Sequence, residues 1–221
     1  MIKFHPKDEM LAQHVNGQLH LALATAVSAH CELCAICREK VAKITEQQAQ
    51  SSFNTDLHVA DNDYASIDFS AMLNQITSLD AVQTEATVNS RALVQIKGKQ
   101  YTLPRAFAKQ ANQSWSGFGK ISRMRLDADE GHARASLLHI DANGEIPEHT
   151  HTGREITLLL EGHFEDEFSR YVPGDFIELD ADHQHSPKTL DGCLCYTVVD
   201  AALHFTKGIS KILNPIGELI Y

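Results

Sequence analysis

No stretch of this chain reaches the ~20 consecutive apolar residues that a spanning helix needs, so a membrane protein is not expected. The opening Met1-Ile2-Lys3-Phe4-His5-Pro6 lacks an apolar h-region, so no export signal is expected and the cytoplasm is the expected compartment. Excess positive charge is missing too. Nineteen Lys and Arg stand against 29 Asp and Glu, and the net charge of -10 disfavours direct contact with DNA, RNA or an anionic membrane surface. A basic protein partner stays open. Cysteine is scarce and clustered, five residues with three in one octet, which is poor arithmetic for disulfides and suits reduced thiols that hold a metal. The rest is ordinary for a globular chain, 43% hydrophobic and 22% charged. At 221 residues it is long for one domain, since domains cluster near ~100 to 150 residues, and two are expected.

The octet reads His30-Cys31-Glu32-Leu33-Cys34-Ala35-Ile36-Cys37. His30, Cys34 and Cys37 stand at i, i+4 and i+7, so on a helix they project from one face toward one point. Zinc accepts imidazole nitrogen and thiolate sulfur in a tetrahedron, and a structural site needs four protein ligands. His5, in the arm before Pro6, is the candidate fourth. Cys31 falls outside the spacing. A redox dithiol, or two small buried side chains, would also account for Cys-x-x-Cys.

Around the octet the period is helical. Residues 8 to 15 form a first short helix with acids in its first turn, and Asn16-Gly17 ends it. Residues 18 to 29 form a second, apolar on several sides and rich in alanine. A third runs from about Glu32 to Gln50 with Val41 and Ile44 inward. Residues 51 to 66 are polar and read as a loop. Asp68 then opens a fourth helix with Phe69, Met72, Leu73, Ile76 and Leu79 along one stripe. Such a stripe packs on its own bundle or docks in a partner's groove through Phe69, Met72, Leu73 and Ile76, and periodicity alone does not choose.

From Ala81 to Asn89 the chain is small and polar, the expected boundary between a domain at residues 1–88 and another at 89–221. Beyond it, short apolar runs alternate with turn signals: 93–96, 136–140, 155–160, 176–179 and 194–199. That rhythm predicts an antiparallel sandwich or barrel. The fold class expected is α+β multidomain, a small zinc-stabilised helical bundle followed by an antiparallel β-barrel. Within the second half, His149 and His151 share one face of a strand, and Glu155 returns to it after Thr152-Gly153. Asp182-His183-Gln184-His185 offers a fourth ligand. Three imidazoles and a carboxylate suit zinc, iron, manganese or nickel.

These residues carry a resemblance. His149-x-His151-x3-Glu155-x6-Gly162 resembles the first cupin motif, and Pro173-Gly174-Asp175 followed by His185 is similar to the second. Gly144 sits one residue closer to His149 than the usual pattern, and His185 matches the family's last ligand better than His183. His5 with His30-x3-Cys34-x2-Cys37 resembles the zinc-binding anti-sigma domain. In this order the two resemble the ChrR-type anti-sigma factors over nearly the whole chain. The resemblance implies zinc on His5, His30, Cys34 and Cys37. It implies zinc or another divalent transition metal on His149, His151, Glu155 and His185 in a cupin jelly roll.

It further implies a regulator that holds an extracytoplasmic-function sigma factor away from core RNA polymerase. The helical half would suffice for inhibition, and the cupin half would answer oxidative stress of the singlet-oxygen kind. The sensor could be Cys34 and Cys37, whose oxidation would release metal, or the cupin wall with Trp115, Cys193 and Cys195. Alternation on one strand equally makes Cys193 and Cys195 buried packing residues. The competing reading is a metal-dependent cupin dioxygenase, against which stands the absence of an evident acid or base beside the ligands.

Overall fold

The computed structural model describes residues 1–54, 68–80, 91–110, 114–128, 131–201 and 203–206. The expected boundary at 81–89 lies outside them, as does most of the expected 51–66 loop. Among the described residues four helices precede the strands. Helix α1 is Asp8–Val15, with Asp8 and Glu9 at the positive end of its dipole. Helix α2 is Leu21–Leu33, where His20 caps the start by accepting from Leu23 N. Helix α3, Ala35–Phe53, follows after a single-residue break at Cys34, and the two are bent by 117°. Residues 51–53, expected in a loop, extend α3, since nothing in Gln-Ser-Ser-Phe stops a helix already propagating. Helix α4 is Phe69–Thr77, capped by Asp68, whose carboxylate accepts from Ala71 N at 3.0 Å. No single helix among the described residues is long and apolar enough to cross a membrane.

The C-terminal half is antiparallel. Its largest sheet has six strands in the order Phe176–Leu179, Glu155–Gly162, Cys193–Val199, Arg134–Ile140, Ile121–Arg125 and Trp115–Phe118. A four-stranded sheet of two-residue strands and a three-stranded sheet of Gln184–His185, His149–His151 and Leu203–Phe205 make up the opposite wall. Ile140, Leu159, Ile177, Leu179, Cys193 and Cys195 of the large sheet pack with Phe164 and Tyr171 in the barrel core. Cys193 and Cys195 are 1% and 2% exposed, filling that core as small apolar side chains.

The other face of the same sheet is also covered. Ile156, Leu158, Leu194, Tyr196 and Val198 join one buried cluster with Leu11, Leu23, Ala26 and Val27 of α1 and α2. Fully burying side chains such as Leu11 and Leu23 contributes roughly 1.5–3 kcal/mol each. The alanines of α2 let its backbone approach closely enough for Tyr196 Oη to donate to Ala22 O at 2.9 Å. Glu32 adds a tie by accepting from Arg105 N and Ala106 N, each at 3.1 Å. Tyr196→Phe is expected to cost about 1 kcal/mol, the net worth of one buried hydrogen bond, read as a lower denaturant midpoint with unchanged metal content.

Helix α4 contributes no buried residue. Its stripe stands in solvent, with Phe69, Met72, Leu73 and Ile76 each about half exposed, at 54, 48, 60 and 57%. Beyond Ile44, α3 is exposed as well, ending on Phe53.

Candidate metal centres

The front centre forms where three elements meet. The break at Cys34 sits between His30 in the last turn of α2 and Cys37 in the first turn of α3, so all three residues reach one point. Pro6 cannot join a helix ladder from its nitrogen, and the arm before it stays outside α1 and reaches this point. There His5 Nδ1 lies 3.5 Å from both Cys34 Sγ and Cys37 Sγ. Ligand atoms of His5, His30, Cys34 and Cys37 all fall within 4.8 Å of one another. Cys31 stays outside this group, half-buried.

The donors fit a metal on their own chemistry. His30 is fully buried; its Nδ1–H donates to Gly174 O at 2.7 Å, which leaves Nε2 as a bare, buried nitrogen aimed into the cluster. An unpaired buried acceptor costs about 1–3 kcal/mol, a cost that a bound cation removes. Burial pushes His30 down to about 4, keeping the imidazole in the neutral form that ligates. Burial, with Cys34 alongside, pushes the Cys37 thiol up to about 12, so a thiolate there needs a cation beside it. Two sulfurs and two imidazoles are a donor set that zinc takes as a tetrahedron.

The rear centre is built from cross-strand register. His185 pairs directly with His149, and His151 lies two residues along the same strand on the same face. Their Nε2 atoms converge: 3.0 Å between His185 and His149, 3.3 Å between His151 and His185. Each ring is held from behind. His149 Nδ1 donates to Pro147 O at 2.9 Å, and His185 Nδ1 lies 3.1 Å from Asp166 Oδ2. Such partners fix the tautomer and turn Nε2 to the metal. His183, the alternative ligand, is instead turned outward to Asp180 at 2.8 Å. Gly162 closes the motif with φ +80°, where a Cβ would meet Gly192 O at 2.2 Å.

Glu155 takes a different place from that read in the sequence. It lies outside the three-imidazole cluster, with Oε2 3.1 Å from His151 Nδ1, on the far side of that ring from the convergent Nε2. Thr157 Oγ1 donates to its other oxygen at 2.7 Å. Burial works to raise its pKa, yet His151 and His149 outweigh this and hold the carboxyl below its ordinary value. As a charged acceptor it orients His151. Asp166 was missed in the sequence: its side chain is 1% exposed, and an Asp that reaches a ligand histidine from a loop 19 residues away has no local signature.

Burial also lowers His149 to about 4. Metal-free protein is therefore expected to lose stability in acid. Unfolding frees His30 and His149 to titrate near their ordinary 6.5, so the unfolded chain holds more protons below that value. Their stabilising neutral state is complete above pH 6.5 and is lost as pH falls toward 4, at up to about 1.4 kcal/mol per pH unit for each group. The denaturant midpoint of chelator-treated protein should fall between pH 7 and 4.5; a midpoint constant across that range would contradict the burial argument.

The chain matches known proteins in both halves. The ChrR cupin-like domain family matches residues 105–202. The anti-sigma-E factor ChrR of Cereibacter sphaeroides is 28% identical over 221 residues, spanning 99% of this chain and 99% of that protein. A crystal structure of Rhodobacter sphaeroides SigE in complex with the anti-sigma ChrR shares the fold. Its TM-score is 0.67 at 22% identity, covering 90% of this chain and 99% of that one. An RmlC-like cupin from Ralstonia eutropha covers 43% of this chain and 68% of its own at 19% identity and a TM-score of 0.40, too remote to carry argument. The chain is thus similar to ChrR from end to end, with a match to the ChrR cupin-like domain in its second half and four described helices ahead of it.

Proposed function

We propose that this protein is a cytoplasmic anti-sigma factor that binds an extracytoplasmic-function sigma factor and keeps it from core RNA polymerase. The observation that carries the proposal is the front ligand quartet, brought within bonding reach on a chain that matches an anti-sigma factor from end to end. Zinc is the metal assigned to His5, His30, Cys34 and Cys37, where it supplies a tetrahedral tie between arm, α2 and α3. Zinc or another divalent transition metal is assigned to His149, His151 and His185, with Glu155 beside His151. The unit 1–88 is assigned to capture and 89–221 to reception of an oxidative signal.

Capture is assigned to the apolar stripe of α4, Phe69, Met72, Leu73 and Ile76, which no part of the described chain covers. Anchors at this spacing suit a groove on a partner. The net charge of -10 favours a basic, DNA-binding partner over nucleic acid itself. The chain is a regulator and not an enzyme, in keeping with its whole-length relative.

Co-expression with the sigma factor encoded beside it tests the proposal. A one-to-one complex that survives gel filtration, with zinc bound, is expected; separate elution of two folded proteins would contradict it. His149→Ala with His151→Ala should remove the rear metal and leave capture intact at saturating zinc. Loss of capture in that variant would mean the rear centre is part of the capture surface's own support.

A further inference from the structure

One turn of the barrel touches the front centre and is joined to the rear one through the residue before it. Residues 172–176 link the Arg170–Tyr171 and Phe176–Leu179 strands, and Asp175 at the turn is fully buried. One carboxylate oxygen closes the turn by accepting from Val172 N at 2.9 Å. The other is given wholly to the N-terminal arm, accepting from Lys3 N at 2.7 Å and Phe4 N at 3.1 Å. Phe176 N returns a hydrogen bond to Phe4 O at 3.0 Å. The arm that carries His5 is thus clamped on both sides of Phe4, one residue from the ligand. The neighbouring Gly174 O is the acceptor that fixes His30 at 2.7 Å. Gly174 has φ +94°, and a Cβ there would meet Ile2 Cδ1 at 2.4 Å, so the turn is shaped to the arm lying on it.

The same turn reaches the rear centre. Tyr171 precedes it, packs against Phe4 with ring centroids 5.1 Å apart and planes tilted by 50°, and donates from Oη to Asp166 Oδ1 at 3.1 Å. Asp166 in turn stands behind His185 at 3.1 Å. Tyr171 is buried, the Asp166 side chain is enclosed, and Asp166 is held further by Phe168 N and Ser169 N at 2.9 and 3.0 Å. From His185 to His5 the path is therefore continuous: Asp166, Tyr171, Phe4, with Asp175 and Gly174 alongside.

We propose that the 172–176 turn is the outer shell of the front metal site, supplied by the barrel, and that it links the affinities of the two centres. Asp175 and Gly174 are positioning residues: they hold His5 and His30 in the geometry that the cysteines require. Displacement of His185 moves Asp166 and Tyr171, loosens Phe4, and raises the cost of closing His5 over the front site. Because such linkage is reciprocal, filling the front site tightens the rear one by the same factor. The inference rests on the metal assignment above but not on capture of a sigma factor, and its test uses the free full-length chain.

Apo protein is titrated with Co2+ while the thiolate-to-cobalt absorption is followed, and zinc is then used to displace the cobalt. Cys34→Ser, which should abolish the band, establishes that the band reports the front site. Loss of outer-shell partners typically lowers metal affinity about 10- to 100-fold, and Asp175→Ala is expected to fall in that range. Phe4→Ala, which leaves the turn's own hydrogen bonds intact, should weaken the site in the same direction and covers the case in which Asp175→Ala fails to fold. Tyr171→Phe, and separately His149→Ala with His151→Ala, should each weaken front-site cobalt binding while leaving the band's shape unchanged. Wild-type affinity in Asp175→Ala and Phe4→Ala would overturn the outer-shell assignment. A fall in those two variants with wild-type affinity in Tyr171→Phe and the double histidine variant would overturn the link between the centres.

Discussion

Replacing Cys34 or Cys37 by serine is expected to lower zinc content by one equivalent and to weaken capture of the sigma factor at least about 60-fold. A structural zinc contributes about 10–16 kcal/mol in small folds that depend on it. Losing even a quarter of that, about 2.5–4 kcal/mol, is a change of about 60- to 700-fold at about 1.4 kcal/mol per decade. The two cysteines occupy the break and the first turn that set the direction of α3, so their loss frees the arm and that helix together. Helices α1 and α2 should persist, because Leu11, Leu23 and Val27 remain buried with the sheet. Circular dichroism should accordingly show a partial loss of helix rather than unfolding. Retention of both zinc and capture in either variant would refute the ligand assignment.

The second large effect is expected from Met72→Asp with Ile76→Asp. Both side chains are exposed, and the helix has no buried residue, so folding and melting temperature should stay within error of the parent. In a partner's groove each side chain would contribute roughly 1.5–3 kcal/mol by burial, and a carboxylate there would add a desolvation cost. Affinity is expected to fall by about 3–6 kcal/mol, more than 100-fold. Unaltered affinity in the folded double variant would move the contact surface away from α4, most simply to the exposed second half of α3.

Much of this was legible in the sequence because it is local. The spacing of His30, Cys34 and Cys37 fixes a common point whatever surrounds it, and the arm closes His5 onto that point. Strand runs at 93–96 and 176–179 coincide with observed strands because turn residues bracket them. The two-residue strands of the opposite wall left no period to detect. Glu155 was read by motif as a ligand, whereas a turn at 152–154 sets it behind His151, a geometry that spacing does not encode.

The seam between helices and barrel was the largest omission, since Lys3 and Asp175 meet across 172 positions of chain. One signal for it was present. Ile156, Leu158 and Leu159 on one strand, and Cys193 to Tyr196 on another, are apolar toward both faces, which an exposed barrel wall would not require. Read that way, a covering layer was implied, and the alanine-rich α2 was the segment able to supply it.

On the proposed function the metal-tied helical half competes with core RNA polymerase for a sigma factor. The most direct measurement is a titration of zinc-loaded full-length protein into a preformed complex of that sigma factor with core polymerase, following free core enzyme. Stoichiometric displacement, lost on adding a zinc chelator, is the expected result. A sigma factor that stays on core polymerase at every concentration of the zinc-loaded chain would contradict it.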